Sequence, residues 1–157
     1  MLRRALTVLL AGCLAGAGAL VGGADPARAG AEPATPLVVT GYALGSANDA
    51  LIARNAPGLS TLTVAGVSIT ARGGSVSRPT ADLRRLVATA HDEGLRAELL
   101  LSNYSNRLGG FDSEAVARML ADERKIARVA EAVAGHASDG GWDGVNVDLE
   151  SMDADDA

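Results

Sequence analysis

From Asp143 to Glu150 the chain reads Asp-Gly-Val-Asn-Val-Asp-Leu-Glu, a strand-like alternation that sets three polar side chains against three apolar ones. Side chains alternate faces along a strand, so Val145, Val147 and Leu149 point one way while Asn146, Asp148 and Glu150 form a polar column on the other. Few folds accommodate such a strand next to a long helical segment. The inner strand of a (β/α)8 barrel does so directly: its outward residues meet helices, and its inward residues near the carboxyl end meet substrate. An exposed edge strand with solvated acids shows the same alternation. The Gly-Gly-Trp-Asp-Gly turn before the strand and the helical segment before that turn argue against it.

The preceding sequence keeps the same rhythm. Pro36 to Leu44 is rich in β-branched residues and follows prolines, which predicts a first strand. Asn48 to Arg54 predicts a short helix capped by Asn48 or Asp49. Ser60 to Thr70 mixes hydroxyl and apolar residues as a second strand does. Thr80 then caps a helix whose Leu83, Leu86, Val87 and Ala90 recur at helical spacing, and Gly94 ends it. Leu95 to Ser102 supplies a third strand and a loop runs to Phe111. Helical segments follow over Ser113–Leu120 and Asp122–His136, with Ile126, Val129, Ala130 and Val133 as one apolar stripe. Strand and helix in strict alternation predict a parallel α/β fold. A doubly wound sheet has the same alternation, but no glycine-rich phosphate loop follows the first strand.

With those residues in place, the chain resembles glycoside hydrolase family 18, the chitinases and related N-acetylglucosaminidases. The family pattern D-x-x-D-x-D-x-E on the fourth barrel strand reads here Asp143, Asn146, Asp148, Glu150, with the second acid replaced by its amide. Gly41-Tyr42 looks like the Gly-Tyr that opens family barrels. Leu99-Leu100-Leu101-Ser102 is similar to the third-strand motif, although Asn103-Tyr104 stands where Gly-Gly is usual. Both departures look more like the peptidoglycan-acting branch than like secreted chitinases. The resemblance implies a (β/α)8 barrel, of which about strands one to four are present. A complete barrel takes about 250 residues, whereas this chain has 157, so open edges are expected on the first and fourth strands.

Function follows from the same resemblance. Successive inward positions on one strand stand about 6.6 Å apart, so the charge on Asp148 favours the proton on Glu150 and suits it to act as a general acid. Side by side on one strand, the two acids are poorly placed to flank a sugar ring, as an enzymatic nucleophile and its acid must. Substrate assistance remains, in which the N-acetyl oxygen of the substrate attacks the anomeric carbon. The resemblance then implies that Glu150 protonates the glycosidic oxygen and Asp148 orients the acetamido group, with Asn146 and Asp143 holding that pair from behind. Tyr42, Asn103 and Tyr104, at carboxyl ends of strands, are expected to touch substrate. A different barrel glycosidase, its nucleophile on a later strand, is the competing enzyme reading. Such enzymes more often carry Asn directly before the acid, where this chain has Leu149. A non-catalytic, secreted carbohydrate-binding protein on the same half-fold, or an inactive remnant of it, is the competing non-enzyme reading.

The first residues read as an export signal. Met1-Leu2-Arg3-Arg4 is a charged start, Ala5 to Val21 is apolar, and Ala27-Arg28-Ala29 is a small-x-small cleavage pattern, which predicts residues 1–29 as a signal peptide and 30–157 as the barrel part. The apolar run is too short and glycine-rich for a stable membrane span. Leu10-Ala11-Gly12-Cys13 resembles a lipoprotein box and offers lipid anchoring through Cys13 as the alternative to secretion. Cys13 is the sole cysteine, so neither an intramolecular disulfide nor a cysteine metal site is expected. A formal charge of −5 with scattered basic residues argues against nucleic acid and suits a neutral or basic substrate. The resemblance implies an N-acetylglucosamine-containing polysaccharide as the partner, with no cofactor and no metal. The acidic run Asp153-Ala154-Asp155-Asp156 lacks the spacing of a calcium loop. His91 and His136 fall late in predicted helices and are assigned structural or surface roles. Trp142 lies at the far end of the barrel from the mouth and is assigned to the core. Aromatic residues make up only 3% of the chain, fewer than the stacking platforms of a processive chitinase would require.

Overall fold

The computed structural model describes residues 37–152. The segment expected to direct export, with Cys13, and the acidic run from Asp153 lie outside the described residues. Six strands and four helices follow in the order β1 (Thr40–Ala43), α1 (Asp49–Asn55), β2 (Thr61–Ser68), α2 (Ala81–Asp92), β3 (Arg96–Ser102), β4 (Tyr104–Ser105), β5 (Gly110–Phe111), α3 (Ser113–Leu120), α4 (Glu123–Gly140) and β6 (Gly144–Asp148). A 3-10 turn, Ala56–Gly58, joins α1 to β2. The main sheet has the order β1-β2-β3-β6, and every pairing in it is parallel. β4 and β5 form a separate antiparallel hairpin.

Local chemistry explains the helix limits. The Asn48 side chain accepts from the Leu51 N–H at 2.8 Å, and Thr80, Asp112 and Asp122 cap α2, α3 and α4 in the same way. α2 is followed by Gly94 at φ +75°, and α4 ends on Gly141 at φ +72°, left-handed positions that glycine occupies without a Cβ penalty. α4 runs to Gly140, four residues past the predicted end at His136. β1 is shorter than the predicted strand because its ladder starts only where β2 does, at Thr40 opposite Thr61.

Register assigns the faces. Leu62, Val64 and Val67 of β2 and Leu99 and Leu101 of β3 are buried in one cluster with Ile52 of α1, Leu83, Leu86, Val87 and Ala90 of α2, Ala115, Val116 and Met119 of α3, and Val129 and Val133 of α4. All four helices therefore contribute to the core on one face of the sheet. Val145, Val147 and Leu149 of β6 and its extension line a groove with Ile126, Val129 and Val133 on that same side, but Val147 remains 63% exposed. Ile126, placed in the stripe of α4 by its spacing, is exposed, as is Ala130. A bulge between Ala65 and Val67 shifts the register of β2 against β3. Gly66 is required there: a Cβ would stand 2.8 Å from the Leu100 carbonyl oxygen and 2.6 Å from the Leu99 side chain.

Candidate active site

The opposite face of the sheet is largely polar and carries the candidate residues Tyr42, Asn146 and Asp148. Matching rungs place Tyr42, Thr63, Glu98 and Gly144 in one row, with Leu100 and Asn146, then Ser102 and Asp148, in rows nearer the carboxyl ends. Asn146 and Asp148 thus share a face and point away from the helices, as the alternation predicts. Thr63 donates its hydroxyl to Glu98 Oε2 at 3.0 Å, below the acids.

The face is concave. Flat strands at about 4.8 Å spacing would separate β1 from β6 by roughly 14 Å, yet Asn146 Nδ2 donates to the Tyr42 hydroxyl at 3.2 Å across two intervening strands. Side chains from the two outer strands meet because the sheet curls toward this face. Tyr42 itself is 68% exposed over the concavity.

Glu150 does not stand in the ladder. The last β3–β6 rung is Ser102 with Asp148, and Glu150, with an exposed side chain, follows two residues later. What holds it is Asn103: Nδ2 donates to the Glu150 carbonyl at 2.8 Å, and Oδ1 accepts from the Glu150 N–H at 2.9 Å. Asn103 is fully buried, so its amide serves the chain and not the open face. Tyr104, by contrast, is 43% exposed and packs edge-on to Phe111, with ring centroids 5.6 Å apart at 82°. It borders a groove with Ser68, Thr70, Ser77 and Asp112 beside the carboxyl ends of β2 and β3.

Asp143 lies elsewhere than the predicted position behind Asp148 and Glu150. It precedes β6, at the opposite end from the acids, where its carboxylate accepts from Ala97 N–H at 2.8 Å and bonds His91 Nε2 at 2.9 Å. His91, at the end of α2, thereby ties that helix to the start of β6. The Ala97 N–H, and after it His91, hold the Asp143 carboxyl below its ordinary range. A lowered native value adds stability above the unfolded value of about 3.9 and loses it as pH falls through the native one. The difference in urea midpoint between the protein and Asp143→Asn should therefore narrow as pH drops from about 6 to 3. A gap constant across that window would show that the charge contributes nothing.

Trp142, next to Asp143, is buried in the core cluster, as predicted. Glu98, on the concave wall, was not singled out by the sequence, and Ser102 entered only as the end of the third-strand motif. The period-two phase of Glu98, Leu100 and Ser102 on β3 was the available signal.

No family model matches the sequence, and no curated protein matches it. Solved structures do. The spore cortex-lytic enzyme SleL of Bacillus cereus superposes with a TM-score of 0.66 at 18% identity, over 76% of this chain and 29% of its own. A class V chitinase from Pseudomonas fluorescens Pf-5 gives 0.66 at 20% identity, over 73% and 35%. The class V chitinase of Nicotiana tobaccum gives 0.62 at 15% identity, over 76% and 34%; a mutant of it was solved in complex with NAG4. The resemblance read from the sequence holds in the fold, which is that of part of a (β/α)8 barrel, about strands one to four. The chain spans about a third of the length of these structures.

Proposed function

We propose that this chain carries the acid and the acetamido-orienting residue of a secreted glycosidase that cleaves β-linked N-acetylglucosamine polymers, of the chitin or peptidoglycan type. The observation that carries this reading is the concave polar face: Asn146 and Asp148 rise from it at the carboxyl end of β6, and a buried amide fixes Glu150 directly beyond them. Barrel enzymes keep their reacting groups at that end of the strands, and the structural neighbours include chitinases and a spore cortex-lytic enzyme. The amino-terminal segment of charge, apolar run and Ala27-Arg28-Ala29 supports export.

The mechanism is substrate assistance. Glu150 donates its carboxyl proton to the glycosidic oxygen as the bond from that oxygen to the anomeric carbon breaks. The carbonyl oxygen of the substrate's N-acetyl group attacks the same carbon and forms a bicyclic oxazolinium. Asp148 accepts from the acetamido N–H and balances the positive charge. Water then opens the ring, returning a proton to Glu150 and leaving a product of retained configuration. Tyr42, across the concavity and bonded to Asn146, and Tyr104, beside the groove, offer aromatic and hydroxyl surface to the sugar.

A thiazoline analogue of the oxazolinium tests this directly. It should inhibit release of N-acetylglucosamine competitively, because the site binds the intermediate it mimics. Hydrolysis that continues unaffected by the thiazoline would point to a nucleophile on another strand. Retention on insoluble chitin or peptidoglycan with no sugar released would make this a binding protein instead.

A further inference from the structure

The β3–β6 ladder stops at Ser102 and Asp148, and beyond it the two strands are joined by a side chain in place of a backbone rung. Asn103 Nδ2 and Oδ1 take both the carbonyl and the N–H of Glu150, at 2.8 and 2.9 Å. That pairing reproduces what a neighbouring peptide group would offer, one donor and one acceptor. Asn103 is itself immobilised: it is fully buried, and its carbonyl accepts from the Asp112 N–H at 2.9 Å where the β4–β5 hairpin closes. On the other side of Glu150 the backbone is under constraint. Ser151 stands at φ 56°, the only non-glycine at positive φ among the described residues. Left-handed backbone is disfavoured for a residue with a Cβ and persists where its surroundings impose it.

We propose that Asn103 is a positioning residue that clamps the backbone of Glu150 at this turn and so aims the Glu150 carboxyl over the concave face. Either half of the amide alone is insufficient. Aspartate keeps the acceptor for the Glu150 N–H but sets a carboxylate against the Glu150 carbonyl; leucine, of similar size, offers neither bond. The hairpin that carries Tyr104 shares the Asn103 backbone, so the same residue couples that loop to the acid.

The consequence for catalysis rests on Glu150 being the acid; the clamp does not, because it is read without substrate. Amide hydrogen exchange at Glu150 should accelerate about tenfold or more in Asn103→Leu and remain within roughly threefold of the parent in Asn103→Asp. The amides of Val64 and Leu99, in the core strands, serve as internal references, and scaling the Glu150 rate to theirs removes any global loss of stability. With a chitooligosaccharide, both variants should lose about tenfold or more in kcat with KM changed less than twofold, the pattern of misdirected chemistry. Unaltered relative exchange at Glu150 in Asn103→Leu would overturn the clamp. Faster exchange with kcat intact would overturn the positioning role. If Glu150→Gln left hydrolysis intact, the reading of Glu150 as the acid would fail while the exchange result stood.

Discussion

Glu150→Gln should lower kcat on a β-linked N-acetylglucosamine oligomer by about 10²–10⁴-fold, roughly 3–5 kcal/mol of transition-state stabilisation. The substitution keeps the size of the side chain and removes only the proton to be delivered. The main-chain bonds of Glu150 to Asn103 do not involve the carboxyl, so the turn is retained. The substrate contacts proposed for Tyr42, Asp148 and Tyr104 would likewise be untouched, and the dissociation constant should change little. The diagnostic is therefore a split: catalysis lost, binding and urea midpoint kept. Undiminished turnover by the variant would sink the assignment. Loss of binding in parallel with turnover would make Glu150 a sugar contact and not the acid.

The parts of this molecule that could be read from its sequence are those governed by neighbours within a few residues. Asn48 and Thr80 act as the caps they were expected to be, and Leu83, Leu86, Val87 and Ala90 are all buried as their spacing requires. The fourth strand also follows its pattern, with Asn146 and Asp148 on one face and Val145 and Val147 on the other. What local pattern could not show was how the chain closes on itself. Asn103 and Glu150 are 47 positions apart, and nothing near either residue announces their bond. Asn103 stood out as a residue at a strand end, which suggested substrate contact; its burial assigns it to the chain. Asp143 belongs to the sequence motif by spacing alone, and the turn before β6 carries it to His91 and Ala97 at the other end of the strand.

Two further features left marks that went unread. In the second strand the hydroxyl residues stand at Thr61 and Thr63, then at Ser68 and Thr70, a change of phase across Ala65-Gly66. A period-two pattern that slips by one residue requires a bulge if the core side is to stay apolar. That is where the register of β2 shifts, keeping Val64 and Val67 on the buried face. The segment from Tyr104 to Phe111 reads as a loop because its polar, glycine-containing middle lacks periodicity. Its hairpin has only two residues per strand, Tyr104–Ser105 and Gly110–Phe111, too few for alternation to register.

The core that supports this face makes the opposite prediction from Glu150→Gln. Leu99 is fully buried in the middle of β3, with Val64 of β2 and Val145 of β6 on the flanking rungs. Its Cδ1 lies 2.6 Å from where a Cβ on Gly66 would sit, filling the space opened at the bulge. Leu99→Ala should cost about 2–5 kcal/mol, a large share of the roughly 5–15 kcal/mol that holds a domain folded. The urea midpoint should fall accordingly, with little change in slope, since the surface exposed on unfolding is nearly the same. Leu99 is on the helix-facing side of β3 and makes no contact with the Asn103–Glu150 bonds. Activity should then fall as the folded fraction falls with rising temperature, while at low temperature kcat per folded molecule stays near the parent value. The two substitutions therefore separate the sheet from its chemistry: Glu150→Gln leaves a stable, inactive fold, and Leu99→Ala an active one that melts early. A Leu99→Ala variant with an unchanged midpoint would mean that β3 is not packed as the central strand of this sheet.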